Sequence, residues 1–591
     1  MIATGLNPSI YSLLISLFGF ISSRRKRQFL LLLMLTFLSS FAEIISLGAI
    51  FPFIGVLTQP DVVFSSPYMS GVNQVLGVEE PSDLVFPLAI GFALAAVVAG
   101  VLRLILLWVS VRLGNMTGAD LGVEIFRRTL SQPYSVHISR NSSEIISAIT
   151  QKVGTATSVL VSTVTILTSL FLFLAILTSL LIIDPLVAVV ASLSFGTAYT
   201  LTALQTRRRL SNNGVNIAVE QTRVVKVLQE GLGAIRDVLL DGSQKLYSNL
   251  YKNATYKLQQ SVAENAFINQ APRYAMEAVG IAMIALLALL LSFRPGGINA
   301  ALPILGVLAL GAQRLLPLMQ QIYGNWSVLT GSKTALLDVL ALLKQPFDDG
   351  AVTDLSTRLD FNDRISINDV SFRYANGPRI LDSITFEIPK GARVGFVGKT
   401  GSGKSTLIDI LMGLLDPEEG GILIDGIPVT ERNRLLWQKN IAHVPQSIYL
   451  ADATIAENIA FGMDKDDIEI SKVKSAASQA FISDFIDHEK DGYSTMIGER
   501  GVRLSGGQQQ RIGIARALYR EAKVLVFDEA TSALDTTTEK AVMEAIDSLN
   551  AELTILIIAH RISTLKNCDI IVEIKNGKAF VSDKRLNILP Q

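Results

Sequence analysis

The sequence predicts an α-helical transmembrane domain with six spans, followed by an α/β P-loop nucleotide-binding domain that carries an antiparallel β subdomain. Two observations predict this class. About the first 325 of the 591 residues contain apolar runs long enough to cross a bilayer. Later, a glycine-rich stretch at 398–405 joins a short apolar strand to a helix, and strand and helix patterns alternate around it. We therefore predict two domains, 1–345 and 346–591.

Composition and charge exclude several classes of protein. The formal net charge is zero, so no global positive field favours binding to nucleic acid. Cys568 is the only cysteine, which excludes an internal disulfide framework and a cysteine-based zinc site. A basic cluster at 24–27 precedes an apolar run that continues to about residue 57, too long for the core of a signal peptide. By the positive-inside rule this cluster holds the N-terminus in the cytoplasm.

Each predicted span supplies the roughly 20 apolar residues that the hydrocarbon core of a bilayer requires. Asp184-Pro185 forms the turn between the third and fourth spans, and residues 294–297 form the turn between the fifth and sixth. Helical spacing of apolar residues within 68–76 suggests a short helix at the membrane surface, with a loosely packed turn as the alternative. The six predicted spans lie at about 29–57, 84–110, 158–182, 186–204, 274–292 and 300–322.

Two long polar connections, 111–157 and 205–273, are mostly helical in pattern. They predict helices that continue out of the membrane on the cytoplasmic side, and ordinary cytoplasmic loops are the alternative. Gln132–Tyr134 and Glu230–Gly233 contain the turn-forming residues where each connection can reverse. A short helix at each reversal would be placed to touch a soluble domain.

A phosphate-binding loop is the strongest signal in the chain. Gly398, Gly401 and Gly403 let the backbone curl so that successive N–H groups and the helix N-terminus point at one polyanion. Lys404 is expected to reach the β- and γ-phosphates, and Ser405 supplies a hydroxyl to Mg²⁺. The alternative is a glycine-rich turn between a strand and a helix. The P-loop is preferred because its template is matched at every position.

Two further strands end in residues suited to ATP hydrolysis. Val524–Phe527 is a buried strand followed by Asp528 and Glu529, and we expect it beside the P-loop strand. Asp528 would hold the metal, and Glu529 would accept the proton of the attacking water. The strand Thr554–Ile558 leads to His560, which we expect to contact the γ-phosphate, although a lone histidine is more often structural.

A second anion site, without a lysine, is predicted at Leu504–Gln508. Ser505 and two glycines stand at the start of a helix, where backbone N–H groups are free to bind an anion. One strong and one incomplete phosphate site in a chain suggest that ATP is bound between two copies. A simple helix N-cap is the alternative, but it would not require both glycines.

These motifs, with Val444-Pro445-Gln446 and Ser532–Asp535, resemble the nucleotide-binding domain of ATP-binding cassette transporters. Six spans ahead of that domain look like the exporter-type half-transporters, and the resemblance covers essentially the whole chain. It implies ATP and Mg²⁺ as cofactors, catalytic roles for Glu529, His560 and Gln446, and Mg²⁺ contacts from Ser405, Gln446 and Asp528. It also implies that Tyr374 stacks on adenine. The residues expected to contact nucleotide are Tyr374, Gly398, Thr400, Gly401, Ser402, Gly403, Lys404, Ser405, Thr406, Ser505, Gly507 and Gln508.

Ionisable residues inside the spans indicate where a substrate could bind. Glu43 and Arg314 either line a polar cavity or pair structurally, and Arg103 either joins them or extends to the inner interface. Arg273 and Glu277 are four residues apart, which favours an ion pair within one helix.

Short stretches of the membrane half look like the bacterial flippases for lipid-linked oligosaccharides, among them residues 43–54 and 314–317. This resemblance implies a homodimer in the bacterial cytoplasmic membrane that moves a polyprenyl-pyrophosphate glycan, with the cassette in the cytoplasm. The alternatives are an exporter of drugs, other lipids or peptides, a membrane-tethered ATPase acting on nucleic acid, and a nucleotide-gated channel. Six spans and the absence of a basic face weigh against nucleic acid as a partner.

Overall fold

The computed structural model describes residues 8–58, 60–65, 80–183, 185–292, 297–347, 358–375, 377–528, 544, 552–558, 565 and 568–583. The chain divides into two compact units, which we call the helical unit (Met1–Gln132 and His137–Phe347) and the sheet unit (Pro133–Val136 and Asp348–Gln591). The predicted domain boundary at 345/346 stays a prediction, because residues 348–357 lie outside the described part of the chain. The surface helix predicted within 68–76 lies outside it as well.

Long helices dominate the chain up to residue 347. Three of them have 46, 49 and 49 residues, which corresponds to about 70 Å each at 1.5 Å per residue. That length exceeds the roughly 30 Å hydrocarbon core of a bilayer. The helices are α1 (Ile10–Gly19), α2 (Ser23–Gly48), α3 (Ile50–Thr58), α4 (Pro60–Phe64), α5 (Val85–Leu130), α6 (Tyr134–Ser139), α7 (Ser142–Ser147), α8 (Val153–Ile183), α9 (Pro185–Gly233), α10 (Ile235–Leu240), α11 (Gln244–Ser292), α12 (Gly297–Gly331) and α13 (Lys333–Leu343).

The predicted continuation of helices through both polar connections is confirmed. Helix α5 ends at Leu130, directly before the predicted reversal at Gln132–Tyr134. Helix α9 ends at Gly233, at the second predicted reversal. Ordinary loops, the alternative for these connections, are therefore wrong.

The first predicted span, 29–57, is interrupted in the structure. Helix α2 ends at Gly48 and α3 begins at Ile50. Pro52 explains the break, because proline has no N–H to donate to the carbonyl of Gly48, four residues earlier, and its ring crowds that turn. The first predicted span is therefore divided between two helices at this point.

Among the described residues, three helical stretches are long and apolar enough to cross a membrane. They are Ser23–Ser46, Pro81–Leu130 and Ser142–Thr178, and the pair Leu315–Gly331 and Lys333–Leu343, bent by 57°, makes a fourth if counted as one span. The fourth, fifth and sixth predicted spans fall within α9, α11 and α12, where some residues are described only by their backbone. These spans stay predictions.

Helices α9, α11 and α12 pack closely through small and amide residues. A Cβ at Gly214 would lie 2.2 Å from the carbonyl oxygen of Gly331, so the α9 and α12 backbones approach closely. Asn213 donates to Asn265 at 3.0 Å, and Asn269 donates to the carbonyl of Gly324 at 2.9 Å. These contacts join the three helices in the parts that lie beyond the predicted spans.

The end of the helical unit is held against α5. Arg128 Nη1 donates to the carbonyl oxygens of Leu343 at 2.8 Å and Gln345 at 3.2 Å. Gln132 Nε2 donates to the carbonyl oxygen of Pro346 at 2.8 Å. We call Arg128 and Gln132 the clamp. It fixes the end of α13 and the residues that follow it beside the end of α5.

The sheet unit contains the predicted antiparallel subdomain. β1 (Arg364–Arg373) pairs antiparallel with β2 (Arg379–Pro389) and with β4 (Glu419–Ile424), which pairs with β5 (Ile427–Pro428). The order of this sheet is β2-β1-β4-β5. Alternating buried and exposed residues explain both long strands, since one face covers the core and the other faces solvent.

A second sheet positions the candidate site. Its order is β10-β9-β3-β8-β7-β6, with parallel pairing from β9 to β6 and an antiparallel edge strand β10. The predicted hairpin at Asn576-Gly577 is confirmed, with φ of 51° and 78°. The elements are β3 (Arg393–Val397), α14 (Lys404–Leu411), α15 (Arg434–Gln438), β6 (Ile441–Val444), α16 (Ile455–Ile459), α17 (Ile470–Gln479), α18 (Ser483–His488), α19 (Gly506–Tyr519), β7 (Val524–Asp528), β8 (Thr554–Ile558), β9 (Ile570–Lys575) and β10 (Lys578–Asp583).

Candidate nucleotide site and polar sites of the helical unit

The glycine-rich loop forms a tight concave turn between β3 and α14. Gly398 has φ of 148° and Gly403 has φ of 101°. A Cβ at Gly398 would lie 2.4 Å from the carbonyl oxygen of Ile574, and one at Gly403 would lie 2.7 Å from Leu381. Gly398 therefore requires glycine for space as well as for backbone angle, and Gly403 requires it for its backbone angle. The predicted strand, loop and helix are present in the predicted order.

Lys404 points back over this loop. Its side chain is only 6% exposed, and its Nζ donates to the carbonyl oxygens of Gly398 at 2.8 Å and Lys399 at 3.1 Å. The Oγ of Ser402 is buried and has no hydrogen-bond partner among the described residues. A buried ammonium and an unsatisfied hydroxyl beside a helix N-terminus fit the oxygens of a triphosphate.

Tyr374 follows β1 and lies next to the start of α14. Its hydroxyl is 3.3 Å from Thr406 Oγ1, and its ring meets Phe372 edge to face with centroids 5.0 Å apart. These contacts hold the ring beside the glycine-rich loop. Ser405, the next residue after Lys404, is exposed. Stacking of Tyr374 on adenine and binding of Mg²⁺ by Ser405 stay predictions.

The acidic strand end lies at the same edge of the sheet, because the carboxyl ends of parallel strands meet there. However, β8 lies between β3 and β7, so the expectation that Asp528 follows a direct neighbour of the P-loop strand was wrong. Burial raises the pKa of Asp409, on α14, to about 6, and the nearby Asp528 carboxylate adds to the rise. Asp528 is therefore close enough to α14 to act on it electrostatically.

The remaining predicted catalytic residues differ in how far the structure describes them. Gln446 is exposed, two residues after β6 ends at the same sheet edge. Glu529 and His560 lie outside the described residues, as do Ser532–Asp535. Since β8 is the direct neighbour of β3, His560 follows the strand next to the P-loop strand by two residues.

The second predicted anion site begins α19. The backbone N–H of Ser505 donates to Gln508 Oε1 at 2.7 Å, and the N–H of Gln508 donates to Ser505 Oγ at 3.3 Å. This reciprocal pair is a capping box, so the N-cap reading accounts for both side chains. Gly506 is exposed, and a Cβ there would meet nothing within 4 Å. The N-terminus of α19 is therefore accessible at Gly506.

In the helical unit, Glu43 pairs with Arg103. Glu43 Oε1 is 3.8 Å from Arg103 Nη1, between α2 and α5, and the two side chains are 1% and 42% exposed. The structure thus supports pairing for Glu43, one of the two alternatives. The side chain of Arg314, on α12, lies outside the described residues. The predicted ion pair between Arg273 and Glu277 is confirmed at 2.9 Å.

Sequence reasoning missed a polar cavity of about 460 Å³ between α9, α11 and α12. We call it the amide cavity because three glutamines contribute to its wall. The signal was present in the sequence: Gln313, Gln320 and Gln321 are spaced seven and eight residues apart within the sixth predicted span, which puts them on one helix face. Its polar lining is Tyr199, Arg273, Glu277, Gln313, Gln320 and Gln321.

Comparisons with known proteins fix the family. Residues 27–294 match the model of the ABC transporter transmembrane region, and residues 381–532 match that of the ABC transporter. An ATP-dependent lipid A-core flippase of Chromohalobacter salexigens is 30% identical, over 80% of this chain and 81% of its own. The chain belongs to the ABC transporter family.

Other ABC transporters extend this result. A lipid A-core flippase of Ralstonia nicotianae is 30% identical over 82% of both chains. A β-(1→2)glucan export ATP-binding/permease protein of Rhizobium meliloti is 40% identical over 40% of this chain and 39% of its own. A solved bacterial Atm1-family ABC exporter with ATP bound matches with a TM-score of 0.76 at 23% identity, covering 95% and 97% of the two chains, which shows the fold.

The predicted class is therefore confirmed. The chain is an exporter-type ABC half-transporter, integral to the membrane, and an ATPase coupled to transport. The roles assigned to individual residues stay predictions.

Proposed function

We propose that this chain forms a homodimeric, ATP-driven flippase for a polyprenyl-pyrophosphate-linked oligosaccharide in a bacterial cytoplasmic membrane. The observation that carries the proposal is Arg103 beside buried Glu43. A charge at mid-membrane costs roughly 2.5–3.5 kcal/mol on insertion scales, so a bundle keeps one where it is paired or used. Arg103 is both paired and 42% exposed, which leaves guanidinium N–H groups for a diphosphate.

A second arginine is proposed to bind the same pyrophosphate. Arg314 lies on α12 within the sixth predicted span, and with Arg103 it would form a cationic zone for the pyrophosphate. Glu43 would neutralise part of that zone when no substrate is bound. The relatives named for lipid A-core and for β-(1→2)glucan support a cargo that carries sugars.

In the cassette, the glycine-rich loop and Lys404 would hold the phosphates, supported by the loop geometry and by the buried Ser402 hydroxyl. Ser405, Gln446 and Asp528 would hold Mg²⁺, which neutralises developing phosphate charge. Glu529 would accept the proton of the attacking water. The remaining expected nucleotide contacts are Tyr374, Thr400, Thr406, Ser505, Gly507, Gln508 and His560.

A dimer is proposed because one chain carries two different phosphate sites. The loop ending in Lys404 is a complete site, whereas the N-terminus of α19 offers backbone N–H groups without a lysine. Ser505 and Gly506 are exposed, which leaves this end of the helix accessible to the ATP of a second copy. Two ATP molecules would then close the cassettes together, and hydrolysis would release them.

A second candidate is a lipid A-core flippase, favoured by relatives of that name that align over 79–82% of the chain. Both substrates combine a lipid, phosphates and a glycan. General export of drugs, other lipids or peptides is the broader alternative.

The test uses purified protein in proteoliposomes with labelled probes in the leaflet that faces the cassettes. We expect ATP to drive a polyprenyl-pyrophosphate oligosaccharide to the opposite leaflet, and a Lys404→Ala protein to leave it in place. Movement of lipid A-core alone would replace the proposal with the second candidate. Movement of neither probe would leave only the general exporter.

A further inference from the structure

The predicted spans and their predicted orientation put the amide cavity in the half of the membrane nearest the cytoplasm. Gln313 and Gln321 are eight residues apart on α12, about 12 Å along the helix. The sixth predicted span ends near residue 322 on the cytoplasmic side, and Arg273 stands where the fifth begins. The cavity therefore reaches from mid-membrane toward the inner interface, where a lipid of the cytoplasmic leaflet has its headgroup.

Helix packing accounts for some of the polar side chains that line the amide cavity. Tyr199 donates its hydroxyl hydrogen to Gln320 Oε1 at 3.1 Å, and Gln320 Nε2 donates to the carbonyl oxygen of Asn269 at 2.9 Å. Gln320 therefore uses both ends of its amide to join α9, α11 and α12. Such interhelical bonds are a normal use of amides in membranes.

The other polar side chains of the cavity keep hydrogen-bonding atoms that helix packing does not occupy. Ser169 donates to Gln321 Oε1 at 2.8 Å, and the Nε2 of Gln321 makes no hydrogen bond within the described residues. The exposed amide of Gln313 makes none there either. Arg273 and Glu277 form their ion pair at 2.9 Å and keep exposed atoms facing the cavity. Donors and acceptors thus remain together at one place.

We propose that the amide cavity binds the sugar portion of the transported lipid, an inference that rests on the proposed function. A sugar hydroxyl donates and accepts, and an amide offers both partners. The charges of Arg273 and Glu277 balance, so the cavity has no net charge to favour a phosphate over a neutral sugar. Leu316 and Pro317 add an apolar patch for the C–H face of a ring. The volume of about 460 Å³ lies within the range of about 300–1,000 Å³ typical of small-ligand sites.

The two polar sites of the helical unit suit different parts of the transported lipid. The Glu43 and Arg103 pair, between α2 and α5, suits the phosphates, and the amide cavity, between α9, α11 and α12, suits the glycan. Two separate sites would select a lipid that carries both groups over an acidic phospholipid without sugar.

The experiment measures equilibrium binding in nanodiscs without ATP. The probes are two matched pairs: a polyprenyl pyrophosphate with and without its oligosaccharide, and lipid A with and without its core oligosaccharide. We expect the wild type to bind the glycosylated member of at least one pair about tenfold more tightly. Gln313→Leu and Gln321→Leu should each reduce that preference about threefold, because each removes a hydrogen bond to the sugar. Affinity for the sugar-free member should stay unchanged, which also shows that the variants fold.

Asn325→Leu is the matched control, because Asn325 lies one turn beyond Gln321 and donates to the α12 backbone at 2.7 Å. It should keep the full preference. Equal binding of both members of both pairs by the wild type would overturn the inference, and so would an unchanged preference in the Gln313→Leu/Gln321→Leu double variant. The proposed function fails by a different result, namely no ATP-dependent translocation of either glycolipid in proteoliposomes.

Discussion

The two units place their polar groups in opposite ways. In the sheet unit, the phosphate cradle comes from eight consecutive residues, 398–405, and much of it is backbone. In the helical unit, the polar contacts join distant parts of the chain: Ser169 with Gln321 across 152 positions, and Tyr199 with Gln320 across 121. The residues proposed to bind the phosphates are therefore close together in the sequence, whereas those proposed to bind the cargo are brought together only by helix packing. The following predictions test that contrast.

The largest effect should come from the carboxylate proposed as the general base. Glu529→Gln should lower ATP hydrolysis at least about 100-fold while ATP binding persists, because the amide cannot accept the proton of water. Both quantities are measured on the purified protein in lipid. Glu552→Gln is the matched control, since Glu552 precedes β8 and pairs with Lys390 at 3.2 Å. A Glu529→Gln protein with a near-normal rate would show that another group is the base.

The shared-site model predicts complementation between two inactive chains. Lys404→Ala and Ser505→Ala homodimers should both be strongly impaired. A mixed dimer keeps one composite site, with Lys404 from one chain and Ser505 from the other, and should recover up to about half of the activity in proportion to its abundance. Heterodimers isolated with two different affinity tags that recover nothing would argue against ATP bound between two copies.

Some features of the sheet unit were predictable from the sequence, and others were not. The P-loop, both long antiparallel strands and the hairpin at Asn576-Gly577 were predictable, because each depends on residues adjacent in the chain. The position of β8 between β3 and β7 was not, since strand order depends on long-range pairing. The break after Gly48 has a local signal in Pro52, four residues later in the chain.

In the helical unit, the sequence identified polar residues but not which of them come into contact. Glu43 and Arg103 were identifiable as costly ionisable residues, but only the packing of α2 against α5 makes them partners. The glutamines of the amide cavity share one helix face in the sequence, yet their cavity needs α9 and α11 as walls.

The ion pair in the helical unit should respond unequally to loss of either partner. Arg103→Ala leaves the buried Glu43 carboxylate without its cation, whereas Glu43→Gln leaves an arginine that is already 42% exposed. We expect the first variant to lower the midpoint of thermal unfolding by several degrees and the second by less. Equal shifts in detergent-purified protein would mean that burial of Glu43 does not decide the effect.

The clamp should affect coupling more modestly. Arg128→Ala removes one hydrogen bond to the last residue of α13 and one to Gln345 beyond it, so we expect about threefold less transport per ATP hydrolysed. Arg127→Ala is the comparison, because the Arg127 guanidinium lies 4.4 Å from the centroid of the Phe347 ring, an aromatic contact that Arg128 also makes at 5.4 Å. It should retain most of the coupling. Equal losses would assign the effect to the aromatic contact instead.

The most direct test separates cargo chemistry from ATP chemistry in one protein. Arg314→Ala is measured in proteoliposomes for ATP-dependent flipping of a labelled polyprenyl-pyrophosphate oligosaccharide and for basal ATP hydrolysis. We predict that flipping is abolished while basal hydrolysis survives, and that Arg314→Lys restores flipping only in part, because ammonium cannot reproduce the guanidinium fork. Normal flipping by the alanine variant, or no flipping by the wild type, would contradict the account.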